Sequence, residues 1–203
     1  MEFIDVVRAR RMVRNYDPGR GVDRAEIERL LGLAIRAPSA GFSQGWHFLV
    51  LDTDETRSIF WQLTATGGPA DSWLTGMQSA PVLILALSDK QAYLERYAAP
   101  DKGWTDRDES HWPVPYWDID TGMASLLIML GAVDGGLASC FFGVPPDAQP
   151  AVKQALDVPG RLSIIGVVSL GHPAPDRKSP SLKRGRRGLD QVLSYGRFSE
   201  NID

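Results

Sequence analysis

Cysteine is almost missing from this chain: Cys140 is the only one in 203 residues. One thiol allows no intrachain disulfide and no cysteine-rich zinc centre, and it fits a reducing, cytoplasmic setting. Long apolar runs are missing too. The longest apolar-rich stretch, Met123 to Val133, falls short of the about 20 residues a bilayer-spanning helix needs. The opening MEFIDVVRARR places acids before its apolar positions and does not read as a secretory signal. Neither charge dominates: the net value of -3 gives no global pull toward nucleic acid or an anionic membrane, so neither is expected as a partner. The sequence has no G-x-S-x-G, H-E-x-x-H or Walker loop, and no G-x-G-x-x-G after a strand. His47, His111 and His172 are scattered without metal-ligand spacing, so no metal is expected. His47 reads as structural between Trp46 and Phe48, and Cys140, in ASCFFG, as a core residue. No side chain is therefore assigned a catalytic role, and any reactivity must come from something the chain binds.

What is present supports a packed core. Hydrophobic residues make up 43% and charged residues 23%, which suits one folded domain over 1–203. Phe3, Val6 and Val7 recur at helical spacing. Asp23 and Glu26 stand in capping-box spacing before Ile27, Leu30, Leu31 and Ala34, and Pro38 closes that helix. Strands are predicted over 46–51, 80–88, SCFFGV and RLSIIGVVSLG, and helices over 54–65, 89–97 and 147–156. A helix over about 118–134 is apolar nearly all round, with Met123, Leu126, Leu127 and Leu130 on one face, which places it in the core or at a subunit interface. The order of elements reads as α+β.

Three segments carry the functional signal. RARRMVRNYD gathers Arg8, Arg10, Arg11 and Arg14 near the end of the first helix. The tail over 176–187 sets Arg177, Lys178, Lys183, Arg184, Arg186 and Arg187 against Asp176 alone. Arginine forks match phosphate oxygens, so converging arginines read as a phosphate clamp or, more plainly, as a solvated basic surface. Between helix and strand, RAPSAGFSQGWHFLVL packs small, hydrogen-bonding residues where a chain needs close backbone approach. Residues 98–117 add Trp104, His111, Trp112, Tyr116 and Trp117, an aromatic group suited to a lid over a site or to an interface.

RARRMVRNYD followed by APSAGFSQGWHFLVL resembles the FMN-dependent nitroreductase family, as do GLASCFFGVP and the closing SLGHPAP…RRGLDQVLSYGRF. The four segments keep the family's order over residues 8 to 198. The resemblance implies a nitroreductase-like α+β fold, with a central mixed or antiparallel sheet flanked by helices. It further implies a homodimer holding FMN at the subunit interface, and a C-terminal arm (172–203) that reaches the partner. It assigns Arg10, Arg11, Met12 and Arg14 to the phosphate side, with help from Arg184, Arg186 or Arg187. Pro38, Ser39, Ala40 and Phe42 go to the ring, and Phe142 and Gly143 to the neighbourhood of its N5. Phe42, Trp112 and Tyr116 would line the substrate pocket.

The implied activity is hydride transfer from NAD(P)H through the flavin to a flat, electron-poor small molecule: a nitroaromatic, a quinone or an activated alkene. A deazaflavin would meet the same clamp. The chain departs from the family at Met12, where Ser is usual, at Phe42, where Asn is common, and at Gly45, where Pro is commoner. ADSWLTGMQSAP also lacks the Lys that some members carry. A storage or sensing flavoprotein with little turnover, and a cofactor-free dimeric interaction module, are the other readings.

Overall fold

The computed structural model describes residues 1–65, 72–176 and 179–199. Four strands form one sheet: β1 (Trp46–Leu51), β2 (Val82–Asp89), β3 (Ala138–Phe142) and β4 (Leu162–Gly171). Their order is β1-β2-β4-β3, and every neighbouring pair is antiparallel. Of the two sheet types the resemblance allows, the described strands take the antiparallel one. Beyond β3 the chain adds one parallel bridge, Met12 to Ser139.

The uninterrupted apolar run becomes β2, buried along its whole length, because helices cover both faces. Strand alternation divides its side chains. Leu83, Leu85 and Leu87 face a core shared with Phe60 and Trp61 of α3 (Asp54–Thr64), Met77 of α4 (Ser72–Gln78) and Val152 of α7 (Gln149–Ala155). Val82 and Ile84 face Ile27 and Leu30 of α2 (Arg24–Ala34) and Ala124 and Ile128 of α6 (Tyr116–Asp134). The short α1 (Phe3–Ala9) leans on α6, and α5 (Lys90–Tyr97) follows β2 directly.

Three local expectations change on folding. The apolar face read on α6 is its outer one: Met123 and Leu126 are exposed, whereas Thr121, Ala124, Ser125 and Ile128 meet the sheet. Gly131 of the same helix packs closely against α2, where an added Cβ would lie 2.6 Å from Leu33 Cδ1. The capping box at Asp23 is not formed, because Glu26 instead accepts two hydrogen bonds from the Arg29 guanidinium, at 2.7 and 2.8 Å. His47 points outward and is exposed, since alternation along β1 buries its neighbour Trp46. Cys140 is buried as expected, and burial pushes its thiol up from its ordinary range. Arg177 and Lys178 of the basic tail, and residues 200–203 of the arm, lie outside the described residues.

Helix α4, seven residues long, carries no sequence expectation. Its place is set by contact: a Cβ built on Gly76 would sit 2.1 Å from the Arg14 carbonyl oxygen. Among the described residues no helix is long and apolar enough to cross a membrane.

That contact gives a direct test of packing. Gly76→Ala should push α4 off the Arg14 segment and cost about 1–3 kcal/mol, typical of overpacking a close contact. A lower urea midpoint with an unchanged m-value is the expected result; a wild-type midpoint would mean that α4 shifts freely.

Candidate functional site

The Arg10 to Asp17 segment leaves α1 and runs beside β3. Val13 N–H donates to the Ser139 carbonyl at 3.0 Å, and the Met12 thioether accepts from Phe141 N–H at 3.4 Å. The Met12 sulfur is thus turned toward the sheet. The far side of this segment is zipped to the start of the tail. Asp17 N–H donates to the His172 carbonyl, Ala174 N–H to the Asn15 carbonyl, and Arg14 N–H to Asp176 Oδ2 at 3.0 Å.

Arg14 is half-buried, and one of its guanidinium nitrogens donates to the Met12 carbonyl at 3.1 Å. With Trp73, Gly76, Asp176 and Ser179 it lines a cavity of about 950 Å³. Arg11 is exposed. Arg10 is half-buried, and its Nη1 is fully enclosed with no hydrogen-bond partner. A buried cationic N–H without an acceptor is costly.

Phe142 reaches the same region from β3. Its ring stacks on Trp61 at 5.7 Å and 6° and meets Trp73 edge-on at 6.2 Å. Trp73 therefore links Phe142 to the cavity beside Arg14. Gly143 is exposed, with open space where a Cβ would sit. Its backbone is free to be approached.

The second group of expected residues lies elsewhere. Pro38, Ser39, Ala40 and Phe42 precede β1, at the opposite edge of the sheet from β3. Three strand spacings separate the edges, about 14 Å. The groups also differ in level: Ser139 pairs with Leu170 and so with Val82, whereas Trp46 pairs with Ser88. That run of β2 spans about 20 Å. The chain thus keeps apart the two groups of residues expected to share one site.

This turn owes its shape to left-handed residues: Gly41 (φ 60°), Phe42 (φ 57°) and Gln44 (φ 50°). Glycine is required at 41, where a Cβ would lie 2.5 Å from the Tyr97 ring. Phe42 has no such licence, yet it is held there with 74% of its surface exposed. Tyr97 also meets Trp112 at 4.5 Å, and Trp112 meets Tyr116 at 5.7 Å. Residues 98–115, regular only in one turn at Glu109–His111, fold back over α5 through these rings. Trp112 and Tyr116 therefore join the turn at 38–42 and not the arginines.

The tail arginines are exposed. Arg184 ends the turn Pro180–Arg184, whose first residue lines the cavity beside Arg14. Arg187 donates to the Gln191 carbonyl. Among the described residues no cluster of His, Cys, Asp or Glu could hold a metal ion. The sequence reading missed Trp73, Asp176, Tyr93 and Asp120; only the last carried a signal, as an acid inside an apolar helix.

Residues 7–172 match the family model described as Nitroreductase family. A protein of Archaeoglobus fulgidus provisionally named NADH dehydrogenase/NAD(P)H nitroreductase is 27% identical over 178 residues, covering 87% of this chain and 88% of its own. A 4-nitrobenzoate reductase of Nocardioides sp. is 27% identical over 225 residues, covering 95% of this chain and 89% of its own. The fold is shared with a protein of Exiguobacterium sibiricum solved in complex with FMN. That pair has a TM-score of 0.75 and 20% identity, over 96% of this chain and 97% of the other.

Phe42 offers a separation of stability from function. Phe42→Gly should raise stability by about 1 kcal/mol through relief of left-handed strain, with little burial lost. Thermal unfolding checks it; a lower midpoint would show that the Phe42 ring contributes packing to the chain itself.

Proposed function

The chain belongs to the nitroreductase family, and from that premise we propose that it is an FMN-dependent oxidoreductase whose site is completed by two copies of the chain. The enclosed, unbonded Arg10 Nη1 carries the reading: a phosphate is the ligand that would satisfy it. Arg14 supplies a cation at the cavity, and the turn that ends at Arg184 begins there with Pro180. Arg11 stands exposed beside them, and Met12 holds the segment to β3 and adds no donor. Arg186 and Arg187 extend the basic surface.

When bound, FMN would supply the hydride-transfer chemistry, linking NAD(P)H and a second substrate through N5 in a ping-pong cycle. Gly143 leaves room for close backbone approach beside the ring, and Phe142, fixed between Trp61 and Trp73, gives that end a rigid apolar wall. The partner copy brings Pro38, Ser39, Ala40 and Phe42 to the same ring. Phe42, Trp112 and Tyr116 exclude water and favour flat, electron-poor acceptors. The 4-nitrobenzoate in the name of the Nocardioides relative supports a nitroaromatic among them.

The homodimer rests on what the chain leaves uncovered. Phe3 is 73% exposed on α1, Ile119 and Leu126 project from α6, and the tail exposes Leu189, Tyr195 (88%) and Phe198 (84%). Apolar surface on this scale marks an interface, and the arm after residue 172 is read as embracing the partner. A cytoplasmic setting belongs to the same proposal.

Arg10→Ala together with Arg14→Ala should strip the flavin without unfolding the dimer; absorption of the purified protein and identification of the released chromophore check it. Full occupancy in the double variant would contradict the clamp. A released deazaflavin would change the cofactor and keep the clamp. Tight FMN binding without NAD(P)H oxidation would favour a storage or sensing role.

A further inference from the structure

Asp120 sits in the second turn of α6 and is 2% exposed. No cation is hydrogen-bonded to it among the described residues. Its Oδ2 instead accepts two neutral donors, the Tyr93 hydroxyl at 2.7 Å and Ala40 N–H at 2.8 Å. A buried carboxylate is expensive, and an apolar residue of similar size would pack here at lower cost. Tyr93 is fully buried, and its hydroxyl is pushed up from its ordinary range by burial first and by Asp120 second, so it remains a donor.

Ala40 opens the turn that holds Gly41, Phe42 and Gln44 in left-handed geometry. Most of that turn's hydrogen bonds are internal: Phe42 N–H to the Ser39 carbonyl, Ser43 Oγ to the Ala40 carbonyl and Gln44 N–H to Ser39 Oγ. Internal bonds shape a turn without fixing where it stands. Two bonds tie it to the body, Ala40 N–H to Asp120 and Arg96 Nε to the Gly41 carbonyl at 2.9 Å. Arg96 is itself held by the exposed Asp101, so the Asp120 tether is the buried one. Tyr93 also touches Trp112 and Trp117, which connects the tether to the aromatic wall.

We propose that Asp120, supported by Tyr93, is a positioning residue: its carboxylate oxygen, as acceptor, holds the strained 39–44 turn and the aromatic wall as one rigid unit offered to the partner's flavin. The proposal deepens the flavin reading above and rests on it for the identity of what the turn meets. It accounts for the acid within an apolar helix and for a bulky residue kept at positive φ, since strain of that kind persists only where the surroundings over-determine it.

Hydrogen exchange on the intact protein, mapped by mass spectrometry, reads the turn with or without cofactor. In Asp120→Ala, exchange over residues 39–45 should rise about tenfold or more, while β2 exchanges as in the wild type. Asp120→Asn, which keeps an acceptor oxygen, should restore most of the protection. Should the Ala variant fail to fold, Asp120→Glu decides the matter, because its carboxylate is displaced by one methylene and should also release the turn. In turnover with excess FMN, Asp120→Ala should raise KM for the acceptor several-fold and leave kcat within about twofold.

Wild-type exchange over 39–45 in the Ala or Glu variant overturns the proposal. So does faster exchange spread evenly over the chain, or an Asn variant as fast as the Ala one. A protein that never binds flavin would remove the catalytic reading and leave the exchange result to judge the tether.

Discussion

Strand spacing governs what one copy of this chain can do. Residues attached to β1 and β3 are held on opposite edges of a four-stranded antiparallel sheet, and no side-chain rotation closes a gap of that size. The arginine segment is locked to β3 by backbone hydrogen bonds, and the left-handed turn is locked to the opposite end by Asp120 and Arg96. In the proposed site each group would be one half, and the unbonded Arg10 nitrogen, the open backbone at Gly143 and the exposed ring of Phe42 would be what the other copy and the cofactor meet.

The uncovered apolar surface belongs to the same picture. The sheet is covered on both faces within the chain, so the outer residues of α6 and the aromatic residues of the tail are left over after the core is built. A second copy would cover them and would bring a turn like that at 38–42 to each arginine segment. Cofactor binding then depends on assembly, because a ligand held by both halves is lost when either is removed.

Much of this was legible in the sequence. Apolar runs located all four strands, and ordered motifs located the arginine segment, the turn and Phe142–Gly143. Less visible was everything fixed by contact between distant segments. Residues 123–130 show a hydrophobic stripe, but Met123 and Leu126 on it are exposed, while Gly131 of the same helix packs against Leu33 of α2. Helix α4 carried no sequence expectation. Asp23 and Glu26 have capping spacing, and Arg29 took Glu26 away. The glycines of the 36–51 stretch suggested close approach to a ligand; at Gly41 and Gly45 the close neighbours are Tyr97 and Tyr93 of the chain's own α5. Motif order placed the half-sites along the chain, but their separation in space follows from strand order, which the sequence does not spell out.

The split site can be tested by complementation. Chains carrying Arg10→Ala with Arg14→Ala are co-expressed with chains carrying Ala40→Trp, which blocks the turn. Each variant alone should lack flavin-dependent NAD(P)H oxidation. A mixed dimer would hold one site with both lesions and one with none, so random assembly should restore about a quarter of wild-type activity. No recovery, with mixed dimers demonstrably formed, would mean that each site is built within a single chain and would contradict the account.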